Sequence, residues 1–140
     1  MNDKYTVSND QIAAWQRDGV IAIRGAFSDY WLNILRDGVE QSLANPSDVS
    51  KDYAENGKGR FFTDHHMHRR LHTFRTFLYN SPAPALAATL MKAVKINLID
   101  EHLLVKEPGT TNPTYWHHDL PYYEVAGHDF CSIWVPLDPV

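Results

Sequence analysis

The sequence predicts a single α+β domain in which helices come first and β-strands follow. The chain has 140 residues and a mass of 16.1 kDa, which suits one domain. Over residues 1–92 apolar residues recur at spacings of three and four, as one face of a helix requires. Over residues 93–140 β-branched and aromatic residues form short segments between turns. We therefore expect a helical part over 1–92 and a β-rich part over 93–140.

Four helices are expected in the first part. A capping box of the form S-x-x-Q at residues 8–11 begins the first helix, and Gly19 ends it. Ser28 caps the second helix, which ends at Asn45-Pro46-Ser47. The apolar face of the second helix comprises Leu32, Leu35, Val39 and Leu43. Two further helices are expected, one over residues 69–79 and one that starts at Ser81-Pro82 and runs through Leu90.

Strands are expected mainly in the second part. Residues 20–23 read as one short early strand, and the polar residues 46–60 read as a surface loop. Residues 94–105 form the next strand candidate, and the Lys-Glu-Pro-Gly sequence at 106–109 ends it as a turn. Residues 115–123 and 130–135 are two more candidates, separated by Gly127.

Composition argues against several classes of partner. The net charge is −4 and the pI is near 6.0, so the chain has no basic excess for nucleic acid. No apolar run approaches the roughly 20 residues of a membrane helix. Cys131 is the only cysteine, and the first residues lack the apolar stretch of a signal peptide. We therefore expect a cytoplasmic protein that binds neither nucleic acid nor membrane.

The most informative histidine is His117, because Asp119 follows it two residues later. In a strand the two side chains point to the same face. An imidazole and a carboxylate on one face make up two-thirds of the 2-His-1-carboxylate triad of non-haem Fe(II) oxygenases. As a bare pattern the pair is weak, and the alternative is a strand histidine bonded to its neighbours.

One sequence block contains this pair, and two further blocks flank it. They are L-L-V-K-E-P-G-T at 103–110, P-T-x-W-H-x-D-L-P-Y-Y at 113–123 and S-I-W-V-P-L-D at 132–138. Their order and spacing resemble the phytanoyl-CoA dioxygenase family, most strongly over residues 100–140. The resemblance implies a double-stranded β-helix, which is a cupin-like jelly roll, with N-terminal helices packed outside. It also implies Fe(II)- and 2-oxoglutarate-dependent hydroxylation of a small organic substrate with O₂.

The resemblance implies a role for individual residues. His117 and Asp119 would be the first two iron ligands. Trp134 would lie beside 2-oxoglutarate, and Ser132 shares its strand face. Thr114 could hydrogen-bond a carboxylate. His102 or Leu104 would contact the cosubstrate from the preceding strand, with the inward-facing residue of the two left open.

Two parts of the family's site have no counterpart in the sequence. The family's second histidine ligand lies on a later strand and is followed by a basic residue that pairs with 2-oxoglutarate. After Asp119 the only histidine is His128, in a predicted loop, and no lysine or arginine follows Lys106. We therefore expect the chain to be an N-terminal portion of the fold that binds iron weakly by itself.

Two other function classes stay open. One is a non-catalytic jelly-roll module for binding or assembly. The other is a zinc hydrolase, since His68 and His72 lie four apart on a predicted helix. A solvated polar face is the simpler interpretation of that pair. In the cosubstrate or substrate pocket that the resemblance implies, Arg60 or a histidine of this stretch, which contains His65, His66, His68 and His72, could instead pair with a carboxylate.

Overall fold

The computed structural model describes residues 5–53, 59–111, 113–127 and 129–140. Its elements in chain order are α1 (Asn9–Asp18), α2 (Asp29–Ala44), β1 (Lys51–Asp52), β2 (Phe61–His65), a short 3₁₀ helix (Met67–Arg69), α3 (His72–Asn80), α4 (Ala83–Met91), β3 (His102–Lys106) and a second 3₁₀ helix (Leu120–Tyr122). Across the residues described, none of these helices has the length and apolar character needed to span a bilayer.

The four predicted helices are confirmed. The Gln11 N–H donates to Ser8 Oγ at 3.2 Å, and the Ser8 N–H donates to Gln11 Oε1 at 2.9 Å, so the capping box forms. Gly19 ends α1 with a φ of 70°, in the left-handed region that glycine adopts without steric cost. Ser28 is the N-cap residue of α2, and Asn45 is its C-cap.

The hydrophobic core lies between α2, α3 and the first 3₁₀ helix. The Phe27 and Phe77 rings lie 5.1 Å apart, and the Trp31 and Phe77 rings meet edge to face at 6.2 Å. Leu103 of β3 packs against this cluster, so the helices cover one face of the sheet. The buried members are Trp31, Leu35, Met67, Phe74, Phe77 and Ala83.

The sheet is antiparallel with strand order β1-β2-β3. His65 of β2 is paired with His102 of β3, and Thr63 is paired with Leu104. Because side chains alternate along a strand, His102 and Leu104 share a face, opposite to the face on which Leu103 meets the helices. We call this second face the open face.

The β-structure differs from the sequence-based expectation. Strand β1 lies inside the loop predicted over 46–60, of which residues 54–58 lie outside the described part of the chain. Strand β2 lies where no strand was predicted, and the candidate over 94–105 is reduced to His102–Lys106. The predictions for 20–23, 115–123 and 130–135 were wrong, since these segments are irregular or, at Leu120–Tyr122, a 3₁₀ helix. A strand persists only where a neighbour accepts and donates its backbone hydrogen bonds. These segments pair with no strand among the residues described.

Asp64 is a fully buried carboxylate at the junction of the sheet and the helices. It accepts hydrogen bonds from Ser42 Oγ at 2.6 Å, from Ser47 Oγ, from the His65 N–H at 2.9 Å and from Arg70 Nη2. These contacts tie β2 to the end of α2 and to the residue that follows the first 3₁₀ helix. Asp64 is therefore the polar centre of the helix–sheet junction.

We expect the Asp64→Asn variant to lose part of the acid sensitivity of folding. Burial raises the pKa of Asp64, but the hydrogen bonds from Ser42, Ser47, His65 and Arg70 outweigh it and hold the pKa below its ordinary value of 3.8. A carboxyl group with a lowered pKa contributes stability above its unfolded-state pKa and loses it as the pH falls through the folded-state pKa. The free energy of unfolding of the wild type should therefore fall steeply below a pH of about 4.

Urea unfolding across a pH series would measure this dependence. The slope of stability against pH in the acid range should be shallower for Asp64→Asn than for the wild type. Asp37→Asn is the matched control, because Asp37 is exposed on α2, and its slope should equal that of the wild type. Equal slopes for all three proteins would show that Asp64 does not couple folding to protonation.

Candidate metal centre

His117 and Asp119 lie on the irregular segment that leads into the second 3₁₀ helix. His117 Nε2 is 3.6 Å from Asp119 Oδ1. His117 Nδ1 is 2.6 Å from the Tyr115 carbonyl oxygen, which can only accept, so Nδ1 carries the proton. In the neutral imidazole, Nε2 then presents its lone pair to the carboxylate. A cation could then lie between Nε2 and the Asp119 carboxylate, in place of the direct ion pair that a protonated His117 would make.

The 3.6 Å between these two atoms is wider than the spacing of adjacent ligands on a first-row metal. Ligands about 2.1 Å from one metal lie about 3.0 Å apart at a right angle and about 3.4 Å apart at the tetrahedral angle. The Ser132 hydroxyl donates to Asp119 Oδ2, so Oδ1 is left to face His117. The Tyr122 ring packs edge-on to the imidazole with centroids 5.7 Å apart. His117 and Asp119 would therefore have to move slightly closer to act as adjacent ligands of one iron ion, and their role as ligands stays a prediction.

Three of the residues predicted to contact the cosubstrate border the open face. His102 and Leu104 both lie on it, so the choice between them that the sequence left open does not arise. The Lys106 ammonium group donates to Thr114 Oγ1 at 2.9 Å, which places Thr114 at the same face. Asp119 lies close enough to act electrostatically on His102. The structure therefore groups these three residues and connects them with Asp119.

Trp134 lies elsewhere. Its side chain is 73% exposed and borders a shallow groove formed with the segment between α1 and α2 and with Leu32 of α2. In the described part of the chain, no ring contact or hydrogen bond joins Trp134 to His117, Asp119 or the open face. Its role beside 2-oxoglutarate stays a prediction.

The titration behaviour of His102 reflects its neighbours. Its ring stacks on His65 with centroids 3.9 Å apart and an angle of 15° between the planes. Partial burial and the charge of His65 lower the pKa of His102, against the opposing effect of the carboxylates of Asp100 and Asp119. The same two carboxylates, together with burial as the largest cause, raise the pKa of Tyr123. His102 is therefore held neutral at neutral pH.

A second group of histidines meets two carboxylates at the end of the sheet. His65 Nδ1 is 2.8 Å from Asp100 Oδ2, and His68 Nδ1 is 2.6 Å from Glu101 Oε2. These histidines were predicted as possible partners of a cosubstrate or substrate carboxylate, and their contacts with Asp100 and Glu101 were not predicted. The missing signal was strand β2, because the pairing of His65 with His102 brings residues 100 and 101 beside these histidines.

The proposed zinc-site pair is not supported by this geometry. His68 belongs to the first 3₁₀ helix and contacts Glu101, whereas His72 is the first residue of α3 and contacts Thr76 Oγ1 at 3.1 Å. The prediction that both lie on one helix face was wrong, because α3 begins at His72. Arg60 pairs with the protein carboxylate of Asp52 at 2.6 Å, and its pairing with a cosubstrate or substrate carboxylate stays a prediction.

Comparison with known proteins gives one family. The family model described as phytanoyl-CoA dioxygenase (PhyH) matches residues 15–140. The match includes α2 to β3 and every residue predicted for the site. No curated protein and no solved structure matches the chain.

Proposed function

The chain belongs to the phytanoyl-CoA dioxygenase family, and on that premise we propose that it serves Fe(II)- and 2-oxoglutarate-dependent hydroxylation of a small organic molecule. Membership supports a dioxygenase-type oxidoreductase and a cupin-like fold. The observation that carries the proposal is the pair of facing acceptors, His117 Nε2 and Asp119 Oδ1, 3.6 Å apart.

We propose that His117 and Asp119 hold the iron and that Ser132 orients the carboxylate. The Tyr115 carbonyl selects the His117 tautomer that offers Nε2, and the Ser132 hydroxyl occupies Asp119 Oδ2. When bound, the iron and 2-oxoglutarate supply the activation of O₂, with succinate and CO₂ as coproducts of hydroxylation. Two ligands make a weak site, so we propose that Fe(II) binds weakly to the part of the chain that the structure describes.

We propose that 2-oxoglutarate lies against the open face. Leu104 would contact its carbon chain, and neutral His102 would contact a polar end. Thr114 and Lys106 could both donate to a carboxylate group there, since their side chains already meet at 2.9 Å. The proposed contact of Trp134 with 2-oxoglutarate requires its segment to move to the open face, because its side chain borders the groove beside α2 in this structure.

We propose the double-stranded β-helix as the fold, in a single domain over 1–140 that is helical over 1–92 and β-rich over 93–140. The placement of helices on one face of the sheet and of polar candidate residues on the other supports it, because barrel sites face inward. For location we propose the cytoplasm. Cys131 is the only cysteine of the sequence and forms no internal disulfide, which suits a reducing compartment.

Anaerobic titration with Fe(II) and 2-oxoglutarate tests the proposal. We expect a weak visible charge-transfer band in the wild type that is lost in Asp119→Ala, because the variant removes one iron ligand. Asp37→Ala is the matched control, since Asp37 is exposed on α2, and its band should equal that of the wild type.

Two results would contradict this function. One is the absence of a band at saturating Fe(II) and 2-oxoglutarate. The other is a band of equal intensity in Asp119→Ala. If 2-oxoglutarate nevertheless raised the melting temperature of His117→Ala as much as that of the wild type, the non-catalytic binding module would be the better description.

A further inference from the structure

We propose a second divalent-cation site, formed by His66, Asp100 and Glu101, at the corner between β2 and β3. Each residue offers one ligand atom, and these three atoms lie within 4.8 Å of one another. His66 follows β2 directly, and Asp100 and Glu101 directly precede β3. The proposal is independent of the oxygenase function, because it uses neither His117 nor Asp119.

Two facing polar atoms of this cluster lack well-aligned hydrogen bonds. Asp100 Oδ1 and His66 Nδ1 are both buried and make no well-aligned hydrogen bond among the residues described, although they lie 3.1 Å apart as an ion pair and the Tyr123 side chain also bonds the Asp100 carboxylate. The Asp100 side chain is only 10% exposed, so water cannot readily satisfy this oxygen. A buried polar atom without a partner costs about 1–3 kcal/mol. A cation between the two atoms would remove that cost.

The separation of the His66 and Asp100 ligand atoms suits two adjacent ligands of one metal ion. His66 Nδ1 and Asp100 Oδ1 are 3.1 Å apart. Two ligands about 2.1 Å from one metal are about 3.0 Å apart when they subtend a right angle. The pair therefore has the spacing of adjacent ligands on a first-row metal.

Neighbouring histidines hold the carboxylates of Asp100 and Glu101 in place by hydrogen bonds. His65 Nδ1 contacts Asp100 Oδ2 at 2.8 Å, which leaves Oδ1 directed at His66. The backbone N–H and the ring of His68 both contact the Glu101 carboxylate at 2.6 Å. Carboxylates and histidines in such mutual contact are typical of the outer layer of metal sites. Each Glu101 oxygen keeps a further lone pair for a cation.

The donor set indicates the class of cation. One imidazole nitrogen and two carboxylate oxygens suit Mn²⁺, Fe²⁺, Co²⁺ or Zn²⁺, whereas Ca²⁺ and Mg²⁺ prefer oxygen ligands alone. A divalent ion would also neutralise two carboxylates that are 10% and 11% exposed. Bound there, it would cross-link the end of β2 to the start of β3 and stabilise the fold. We assign it a structural role.

Co²⁺ titration, followed by its visible absorption and by melting temperature, tests this site. The experiment uses the Asp119→Asn background, so that the proposed iron site does not contribute. We expect saturable Co²⁺ binding and a higher melting temperature in this background. Adding Asp100→Asn should weaken Co²⁺ binding by about tenfold or more, as should adding His66→Ala.

The same substitutions are made at both proposed metal sites, so that the two sites can be compared directly. Asp100→Asn and Asp119→Asn make the same change at the two sites, and His66→Ala and His117→Ala do likewise. Asp100→Asn keeps the size of the side chain, and circular dichroism without metal verifies that each variant folds. The proposal is overturned if Asp119→Asn shows no saturable Co²⁺ binding, or if binding survives unchanged in both Asp100→Asn and His66→Ala. Either result would identify the cluster as an ordinary set of histidine–carboxylate ion pairs.

Discussion

Arg70→Ala is expected to lower the free energy of unfolding by about 3 kcal/mol. Arg70 donates to Asp64, whose side chain is completely buried, and its own side chain is only 26% exposed. Removing one partner of a buried ion pair leaves the other charge without compensation. The hydroxyl groups of Ser42 and Ser47 and the His65 N–H would remain on Asp64, but none of them carries a positive charge.

Equilibrium unfolding in guanidinium chloride measures this loss. Arg75→Ala is the matched control, because Arg75 is exposed on α3 and its guanidinium group lies 5.8 Å from the Tyr79 ring. We expect the control to change stability by less than about 1 kcal/mol. If Arg70→Ala lost no more stability than the control, the buried Asp64 carboxylate would not need the Arg70 charge for the protein to stay folded.

Helices were predictable because their signals are local. The capping box of Ser8 and Gln11 and the left-handed Gly19 lie within one helix length of each other, so the bounds of α1 follow from sequence alone. The same holds for the proline that opens α4. Tertiary contacts were not needed to fix these ends.

Strands were harder because their partners are distant in sequence. Strand β2 pairs with Lys106 through Phe61 and with His102 through His65, across about forty residues of chain. Its sequence begins with two phenylalanines and ends with an aspartate and one histidine, so it does not alternate as a surface strand does. Conversely, the aromatic run around Tyr115 and Trp116 has strand propensity but no strand partner in the described part of the chain.

The candidate site divides along the same line. His117 and Asp119 were found because a motif needs only a short stretch of sequence, and the hydrogen bond from Ser132 fits the predicted grouping. Asp100 and Glu101 were missed because only the strand register places them beside His65 and His68. The sequence motif predicts which chemistry to expect. The pairing register of β2 with β3 shows which further side chains lie near each other.

We expect His117→Ala to weaken Fe(II) binding by about 100-fold or more, and Ser132→Ala to weaken it by about 10- to 100-fold. His117 would lose a direct ligand, while Ser132 acts through the orientation of Asp119. Anaerobic Fe(II) titration in the presence of 2-oxoglutarate measures both constants. Ser132→Thr keeps the hydroxyl group and should restore most of the affinity that Ser132→Ala loses.

The matched control for the histidine is His72→Ala. In the described part of the chain, the hydrogen bond of the His72 ring is to Thr76 Oγ1. His72 lies on α3, which packs on the face of the sheet opposite to the open face. Its Fe(II) affinity should equal that of the wild type. If His72→Ala and His117→Ala bound Fe(II) equally well, the pair of His117 and Asp119 would be no metal site. A graded order, with His117→Ala weakest, Ser132→Ala intermediate and Ser132→Thr near the wild type, requires a carboxylate that the serine positions, because a general loss of folding would not be rescued by a hydroxyl group.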